Sequence, residues 1–389
     1  MSKQVLITGG AGFIGSHLAD ELLNAGYAVR VLDNLSPQVH PGGEAPGYLS
    51  RGVELVVGDV RDRTTVGRAL SGVDGVFHLA AALGVGQSMC QPERFASANG
   101  VGTAVLLEAL LQRPVERLVV ASSMSVYGEG LCRRPGGAVC TAACRHTEHL
   151  SAGDWEPRAA DGERLTPIPT PETKAPEPSS VYALSKYGQE RMCLMVGRAY
   201  DIPTVALRFF NVYGSRQSLS NPYTGVMAIF ASRLLNGSAP VIYEDGGQLR
   251  DFVSVHDVAR ACRLAYESDV ATYEVINVGS GHPHTILAVA SRMARALDRA
   301  RLEPEITGTY RAGDTRHCFA DVTLARKLLG YTPEVRLEDG IEELASWLEG
   351  QGAVTPVANA GAELAARRAR VQGSVAGASP RPTGQSRLP

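Results

Sequence analysis

The chain is predicted to fold as an α/β protein with a doubly wound parallel sheet and a smaller mixed α/β lobe. Three observations support this prediction. Apolar strand segments alternate with helical segments through the first half of the chain, a glycine-rich turn joins the first strand to the first helix, and small or hydroxyl residues follow several strands. Sheets of this kind bind ligands beyond the carboxyl ends of their strands.

The first unit is a strand, a glycine-rich turn and a helix. Residues 5–7 are predicted to form a buried parallel strand, and apolar residues at helical spacing run over residues 13–25 and end at Gly26. Glycines in the turn allow a pyrophosphate to approach the backbone N–H groups at the positive end of the helix dipole. A dinucleotide is therefore expected at the turn, held by Gly9, Gly12, Phe13, Ile14 and Gly15.

An acidic residue follows the second predicted strand, residues 28–32. Asp33 lies eighteen residues beyond Gly15, where a carboxylate can accept hydrogen bonds from both ribose hydroxyls of an adenosine. The same carboxylate would repel a 2′-phosphate, so NAD is expected rather than NADP, with Asn34 beside Asp33 in the same site. The alternative is a loop aspartate beside a purely structural turn.

The next strands and helices continue the alternation. Strands are predicted over residues 53–57, 73–79 and 118–121, with a long helix over residues 91–111. Asp59 and Val60 follow the third strand and are expected to contact the adenine edge. Leu79, Ala80 and Ala81 end the fourth strand, where small side chains would let the cofactor lie close.

Hydroxyl groups and a Tyr–Lys pair are the candidate reactive groups. Ser123, Met124 and Ser125 end the fifth strand, and Tyr182 and Lys186 lie four residues apart, on one face of a predicted helix. For Tyr182 to act as a base near neutral pH, its pKa must fall by about three units. A neighbouring cation supplies about one to three of these, and a positively charged nicotinamide could add the remainder.

Composition and charge exclude several classes of partner. The chain has 389 residues, 44% of them hydrophobic and 20% charged, and a net charge of −2, which gives no reason to expect nucleic acid as a partner. No apolar run is long enough to span a membrane. The seven cysteines form no CxxC pair, which favours reduced thiols and a cytoplasmic location.

Several motifs, in order, resemble those of a known family. TGGAGFIGSH, LDNL, HLAA, SSMSVYG, YALSK, RFFNVYG and RDFVSVHDVARA are similar to the motifs of the extended short-chain dehydrogenase/reductase family, in its nucleoside-diphosphate-sugar epimerase and dehydratase branch. The resemblance covers residues 3–347, and the nearest pattern is that of UDP-sugar 4-epimerases. It implies a Rossmann-like fold, a bound NAD, a nucleoside-diphosphate-sugar substrate and a homodimer.

The resemblance also implies roles for the reactive groups. Ser123 matches the hydroxyl that hydrogen-bonds the sugar O4, Tyr182 matches the base, and Lys186 matches the residue that holds the nicotinamide ribose and lowers the tyrosine pKa. The implied reaction removes a proton from the 4-hydroxyl and a hydride from C4. Return of the hydride to the other face of the 4-keto sugar gives the C4 epimer.

Other reactions of the same branch are weighed by the residues after Ser123. The family's 4,6-dehydratases place an Asp-Glu pair where this chain has Met124 and Ser125, and neither of these can act as a general acid or base. Its decarboxylases usually have a glutamate at the position of Ser125. Ser125 leaves a uronic acid substrate open, and the alternatives retained are a 4-keto-sugar reductase, an atypical dehydratase and a non-catalytic NAD-binding scaffold.

The second half of the chain has a predicted helix over residues 283–297 and supplies residues that match the family's substrate contacts. Asn211 resembles an asparagine near the substrate diphosphate, Arg250 and Arg311 match two diphosphate-binding arginines, and Asp314 matches a residue that bonds the nucleotide ribose. Cys318 falls at the position that controls room around the sugar C2 substituent; the alternative is an ordinary buried cysteine.

The domain boundaries follow from these assignments. The NAD-binding domain is expected at 1–206 with a return segment at 250–278, the substrate-binding lobe at 207–249 and 279–349, and a disordered tail at 350–389. The connection 129–178 is an insert relative to compact epimerases. It is predicted to be an irregular lid bordering the active site, with a structural zinc on Cys132, Cys140, Cys144 and His146 as the less favoured alternative.

Overall fold

A computed structural model describes residues 2–143, 145–218, 225–310 and 314–350. The strands in these residues are β1 Gln4–Thr8, β2 Ala28–Asp33, β3 Val53–Val57, β4 Gly75–His78, β5 Arg117–Ser123, β6 Leu131–Arg133, β7 Val139–Thr141, β8 Thr166–Pro167, β9 Thr204–Phe209, β10 Asn211–Tyr213, β11 Val241–Ile242, β12 Leu249–Ser254, β13 Val275–Val278, β14 Pro283–Thr285, β15 Glu305–Ile306 and β16 His317–Cys318. The helices are α1 Phe13–Asn24, α2 Arg63–Ala69, α3 Val85–Ser88, α4 Pro92–Phe95, α5 Gly102–Gln112, α6 Thr147–Ser151, α7 Val181–Ala199, α8 Val226–Leu235, α9 Val255–Glu267, α10 Ile286–Ala296, α11 Thr323–Leu329 and α12 Leu337–Glu349.

Seven parallel strands form the main sheet, in the order β13-β9-β5-β4-β1-β2-β3. From β1 the chain first adds β2 and β3 on one side, and then β4, β5, β9 and β13 on the other. The strand order therefore reverses between β1 and β4, and their carboxyl ends form the crevice in which such sheets bind ligands. The predicted fold class is confirmed.

Helices cover both faces of this sheet, because its strands are apolar on both sides. On one face, α1 and α9 bury Leu18, Leu22 and Val258 with the side chains of Val5 and Ile7. On the other face, α2, α5 and α7 bury Val66, Leu106 and Leu194 with Leu6 and Leu32. Alternate β1 residues thus enter opposite layers of the core, as the strand period requires.

A smaller lobe follows the main sheet and has mixed strand directions. β12 pairs in parallel with β10 and β16 and antiparallel with β14. Three amphipathic helices, α8, α10 and α12, bury their apolar faces together over this lobe. The predicted domain boundaries remain a prediction. β12 pairs with strands of the lobe, whereas α9, which follows it directly, packs on the main sheet.

Two sequence predictions of secondary structure need correction. The helix expected over residues 283–297 begins only at Ile286, because Pro283–Thr285 pairs with β12 and the Thr285 hydroxyl caps the helix by accepting from Ala288 N at 3.1 Å. The helix expected over residues 91–111 contains a wider, π-helical segment, Ala96–Val101, between α4 and α5.

The insert 129–178 is more regular than the irregular lid that was predicted. Its strands form an antiparallel sheet in the order β7-β6-β8, and α6 follows β7. Short strands with a Pro-Gly-Gly turn gave no periodic signal long enough to identify them. The tail from residue 351 onward lies outside the described residues, and no helix in the described part of the chain is long and apolar enough to cross a membrane.

Candidate active site

The glycine turn lies at the carboxyl end of β1 and leaves no room for side chains. Gly9 has a φ of +72°, its N–H donates to Leu32 O at 2.7 Å, and a Cβ there would lie 2.9 Å from the Ala80 backbone. A Cβ at Gly15 would lie 2.4 Å from Gly9 O. The backbone of the turn therefore packs against itself and against the end of β4, which fits a site where a pyrophosphate meets bare N–H groups.

Asp33 ends β2 next to this turn, as the sequence predicts. Its Oδ2 accepts from Ala11 N at 3.0 Å and its Oδ1 accepts from Leu35 N at 2.9 Å. These two bonds fix a nearly buried carboxylate against the turn. Its remaining lone pairs suit a pair of ribose hydroxyls, and its charge opposes a phosphate.

Asn34 and Asp59 are brought together by the neighbouring ends of β2 and β3. Asn34 Nδ2 donates to Asp59 Oδ2 at 3.1 Å, and Arg61 holds the pKa of Asp59 at about 2. The other predicted cofactor residues line the same edge: Phe13 and Ile14 begin α1, Val60 follows Asp59, and Leu79, Ala80 and Ala81 follow β4, where Leu79 N donates to Thr8 O at 3.1 Å.

The two candidate catalytic hydroxyls meet at the carboxyl end of β5. The phenol of Tyr182, near the start of α7, lies close enough to the Ser123 hydroxyl for that group to oppose the rise in the Tyr182 pKa. Ser123 Oγ also accepts from Ser125 N at 3.2 Å and lies 2.9 Å from Ser125 Oγ. The helix is placed there by its cap, since Ser180 Oγ accepts from Ala183 N at 3.1 Å. Residues far apart in sequence thus form one reactive pair.

Lys186 lies one turn after Tyr182 and is buried. Its Nζ donates to Gln189 Oε1 at 2.8 Å, and burial lowers the pKa of Lys186 to about 8. The pKa of Tyr182 itself lies above its ordinary value, because the effect of burial exceeds the opposing effect of the Ser123 hydroxyl. The spacing was expected to let Lys186 lower this pKa, but Lys186 is not among the groups that shift it in this structure.

Sequence reasoning missed two amides that hold this arrangement together. Asn99, fully buried in the π-helical segment, accepts from Ala82 N at 2.7 Å and donates to Ser185 Oγ at 2.8 Å. Gln189 accepts from Lys186 and donates to Thr103 Oγ1 at 2.8 Å. They connect the loop after β4 to α7. The only sequence signal for them is a pair of amides on the buried sides of long helices.

A buried ion pair lies behind Ser123 and was also missed. Glu190 Oε1 lies 2.7 Å from Arg208 Nη2, and Ser122 Oγ donates to Glu190 Oε2 at 2.7 Å. The Arg208 guanidinium lies 4.7 Å from the centre of the Tyr127 ring. These contacts fix the end of β5 to β9 and α7, directly beside the reactive serine.

Met124 and Ser125, which follow Ser123, have no carboxylate. Met124 packs with Val126, Tyr127, Phe210 and Cys318 in a small apolar cluster. Burial raises the pKa of the Cys318 thiol to about 12, so it stays protonated. Cys318 therefore lies beside the catalytic strand end as an apolar group, which keeps both interpretations of it open.

Of the four residues predicted to bind the substrate nucleotide, the structure describes Asn211, Arg250 and Asp314. The buried Oδ1 of Asn211 accepts no hydrogen bond from the described residues. Arg250 donates through Nη1 to Leu249 O and Arg316 O, both at 2.9 Å, and through Nη2 to Thr315 O. Asp314 precedes that carbonyl, and Arg311 lies outside the described residues. A cation whose hydrogen bonds within the described residues go to carbonyls, and an amide with an unused acceptor, are expected where a ligand binds.

The structure leaves the zinc alternative as a prediction. Cys132 and Cys140 lie opposite each other on β6 and β7, and both are free thiols. Cys144 lies outside the described residues, and in the described part of the chain no three His, Cys, Asp or Glu residues are grouped as metal ligands.

The sheet, the glycine turn and the Ser123–Tyr182–Lys186 set together define an NAD-binding short-chain dehydrogenase/reductase of the extended type. Residues 5–279 match the model of the NAD dependent epimerase/dehydratase family, and the chain belongs to that family. NAD is accordingly its cofactor.

Individual relatives match over most of the chain. A dTDP-L-rhamnose 4-epimerase of Burkholderia thailandensis is 36% identical over 350 residues, which cover 89% of this chain and 95% of that protein. Among solved structures, UDP-glucose 4-epimerase of Thermotoga maritima with UDP-glucose is 33% identical with a TM-score of 0.74, covering 90% of this chain and 99% of that one. UDP-glucose 4-epimerase of Thermus thermophilus in complex with NAD is 34% identical with a TM-score of 0.71, covering 90% and 100%.

Proposed function

We propose that the protein is an NAD-dependent nucleotide-sugar 4-epimerase. The observation that supports this most directly is that the Tyr182 phenol and the Ser123 hydroxyl lie together at the carboxyl end of the sheet, beside the glycine turn. A single base and a single hydrogen-bond donor are sufficient for reversible oxidation at C4. The named 4-epimerases among the relatives support the same function.

The residues of the chain would divide the reaction between them. Tyr182 takes the proton of the sugar 4-hydroxyl and later returns it, while the Ser123 hydroxyl bonds O4 and orients it toward the phenol. Lys186 holds the nicotinamide ribose, one helical turn after Tyr182. Bound NAD supplies the chemistry of accepting a hydride from C4 and giving it back.

Dehydration is the weaker alternative because its acid and base are missing. Eliminating water across C5 and C6 needs a proton donor and a proton acceptor next to the serine, and Met124 and Ser125 provide neither. A dTDP-glucose 4,6-dehydratase is nevertheless among the relatives, at 29% identity. A 4-keto-sugar reductase would differ from an epimerase by consuming NADH.

The substrate is proposed to bind through its diphosphate at Arg250, Asn211 and Arg311, with Asp314 on the nucleotide ribose. The carbonyl-held guanidinium of Arg250 is a fixed fork, which suits a phosphate oxygen pair. A UDP-hexose is the first candidate, supported by the solved neighbours that bind UDP-sugars. Cys318 would leave room at C2 for an N-acetyl group.

A dTDP-6-deoxyhexose is the second candidate, supported by the dTDP-L-rhamnose 4-epimerase relative. Purified protein incubated with UDP-, dTDP- and GDP-sugars without added cofactor tests both. We expect an isobaric C4 epimer by NMR and mass spectrometry, with no net NADH. A product lighter by one water, or a requirement for NADH, would contradict the proposed function.

A homodimer and a cytoplasmic location are also proposed. Leu184 and Met195 on α7 are more than half exposed, and so is Val101 on the adjoining π-helical segment. Such an apolar strip on neighbouring helices is suited to packing against a second copy. Sedimentation of the wild type and of Met195→Lys tests this, since a dimer should become a monomer. The free thiols among the described cysteines fit a reducing compartment.

A further inference from the structure

A group of charges, buried at its centre and partly exposed at its edge, connects the insert to the substrate lobe. We call it the latch: Arg145 and Glu156 from the insert, with Glu244, Asp245 and Arg316 from the lobe. Arg145 Nη1 lies 2.8 Å from Glu244 Oε1, and Arg316 Nη1 lies 2.9 Å from Glu244 Oε2 and 2.7 Å from Asp245 Oδ1. Arg316 Nη2 lies 2.6 Å from Glu156 Oε1, and its side chain is only 1% exposed.

The latch continues into the three carbonyls that hold the lobe segment 314–316. Arg145 Nη2 donates to Asp314 O at 2.6 Å. The next two carbonyls, of Thr315 and Arg316, accept from Arg250. Arg145 of the insert thus holds the first carbonyl of segment 314–316, and the other two carbonyls of that segment hold the guanidinium of Arg250.

The insert also holds the backbone N–H groups of Arg316 and His317. Glu129, at the start of the insert, accepts from Arg316 N at 2.8 Å and from His317 N at 2.5 Å. His317 Nδ1 accepts from Leu249 N at 3.1 Å, so its Nε2–H is the donor to Glu156 Oε2 at 3.1 Å. The insert therefore fixes β16 through both backbone and side chain.

We propose that Arg145 is a positioning residue of the nucleoside-diphosphate site, through which the insert sets substrate affinity. This inference rests on the proposed function, because it takes Arg250 as a diphosphate ligand. A planar guanidinium binds a diphosphate well only if its plane is fixed, and the two carbonyls that fix Arg250 directly follow the Asp314 carbonyl that Arg145 holds. The hydrogen bonds of Arg145 go to Trp155 O, Glu244 and Asp314 O, so its loss should affect binding and leave the Tyr182 chemistry intact.

Two substitutions and one matched control test the proposal in the full-length protein. Arg145→Met removes all three hydrogen bonds of the guanidinium, and Arg145→Lys keeps one cation that can reach Glu244 or Asp314 O but not both. Arg158→Met is the control, because Arg158 lies in the same insert and pairs with Asp154 at 2.6 Å, with no contact to segment 314–318 among the described residues. Calorimetry with UDP and with dTDP measures affinity, and assays on the sugar that is turned over give KM and kcat.

The expected result is a loss of affinity separated from rate. Arg145→Met should bind the preferred nucleoside diphosphate at least tenfold more weakly and raise KM by a similar factor, with kcat within threefold of wild type. The affinity of Arg145→Lys should lie between those of the wild type and Arg145→Met, and the affinity of Arg158→Met should match that of the wild type. Should Arg145→Met fail to fold, Glu156→Gln, which removes the charge between Arg316 and His317 but keeps the side-chain shape, should still weaken binding at least threefold.

Two results would overturn the inference. Affinity within twofold of wild type in Arg145→Met, or in Glu156→Gln if that variant replaces it, would show that the latch does not position the site. A fall in kcat and in melting temperature as large as the rise in KM would show that the latch only supports the fold. Nucleotide binding without any epimerisation would instead refute the proposed function alone, whereas a wild type that binds neither UDP nor dTDP would refute the inference together with the diphosphate site.

Discussion

Replacing Gly15 by alanine tests the glycine turn with a single methyl group. The added Cβ would lie 2.4 Å from Gly9 O and 2.5 Å from Gly10 Cα, and ordinary contacts begin at 3.4 Å. Both neighbours are backbone atoms, so the turn must open by about 1 Å rather than rotate a side chain away. Overpacking of this kind costs about 1–3 kcal/mol. If the N–H groups that face the pyrophosphate move with the turn, that cost corresponds to an about 5- to 140-fold weaker NAD affinity.

The matched control is Gly67→Ala. Gly67 lies in α2, and a Cβ there meets nothing within 4 Å. An alanine in a helix is favoured over glycine by about 0.5–1 kcal/mol, so this variant should melt at or above the wild-type temperature with unchanged NAD affinity. NAD binding by calorimetry and thermal melts compare the three proteins. Gly15→Ala with wild-type affinity and stability would refute the close-packed turn as the basis of cofactor binding.

Three further predictions concern the catalytic strand end and its surroundings. Glu190→Gln leaves the buried Arg208 without its counter-charge and should lower the free energy of unfolding, measured in urea, by about 3–5 kcal/mol. Glu108→Gln, at an exposed ion pair, should lower it by less than about 1 kcal/mol, and equal effects of the two substitutions would contradict this prediction. Tyr182→Phe should keep the fold and lower kcat by about 10²–10⁴, and a loss below tenfold would exclude Tyr182 as the base. Burial lowers the pKa of His78 to about 3, so the unfolded chain takes up a proton below about pH 6.5 that the folded protein cannot. Stability should therefore fall as the pH drops from 6.5 towards 3, by about 1.4 kcal/mol per unit, and His78→Asn should show a shallower decline in urea midpoints; an unchanged slope would contradict the assignment.

The parts of the fold that the sequence predicts are those with strong local signals. β3 has the predicted limits and α1 begins at the predicted residue, because an apolar run next to glycines or a charged residue marks both ends. Gly9, Gly15 and Asp33 lie where their spacing places them, since the turn and the strand end leave few alternatives. Short elements such as β14 were missed because three residues contain no period.

The contacts that join distant parts of the chain could not be predicted in the same way. Asn99 and Gln189 look like ordinary helix residues until the fold brings their amides to the loop after β4 and to Lys186. The latch is a similar case, because nothing local connects Arg145 with Asp314. The resemblance identified Tyr182 and Ser123 as partners, and the structure adds that burial raises the Tyr182 pKa. Lowering it is therefore left to the positive charge of the bound cofactor.

The central claim is that oxidation and reduction occur at the same sugar carbon. The most direct measurement uses the nucleotide sugar that the protein turns over, labelled with deuterium at C4, in ordinary water without added NADH. The account predicts a C4 epimer that keeps the deuterium at C4 and has an unchanged mass, because the abstracted hydride returns to the carbon it left. Loss of the label to solvent would contradict the account, since it would mean that C4 is deprotonated rather than oxidised.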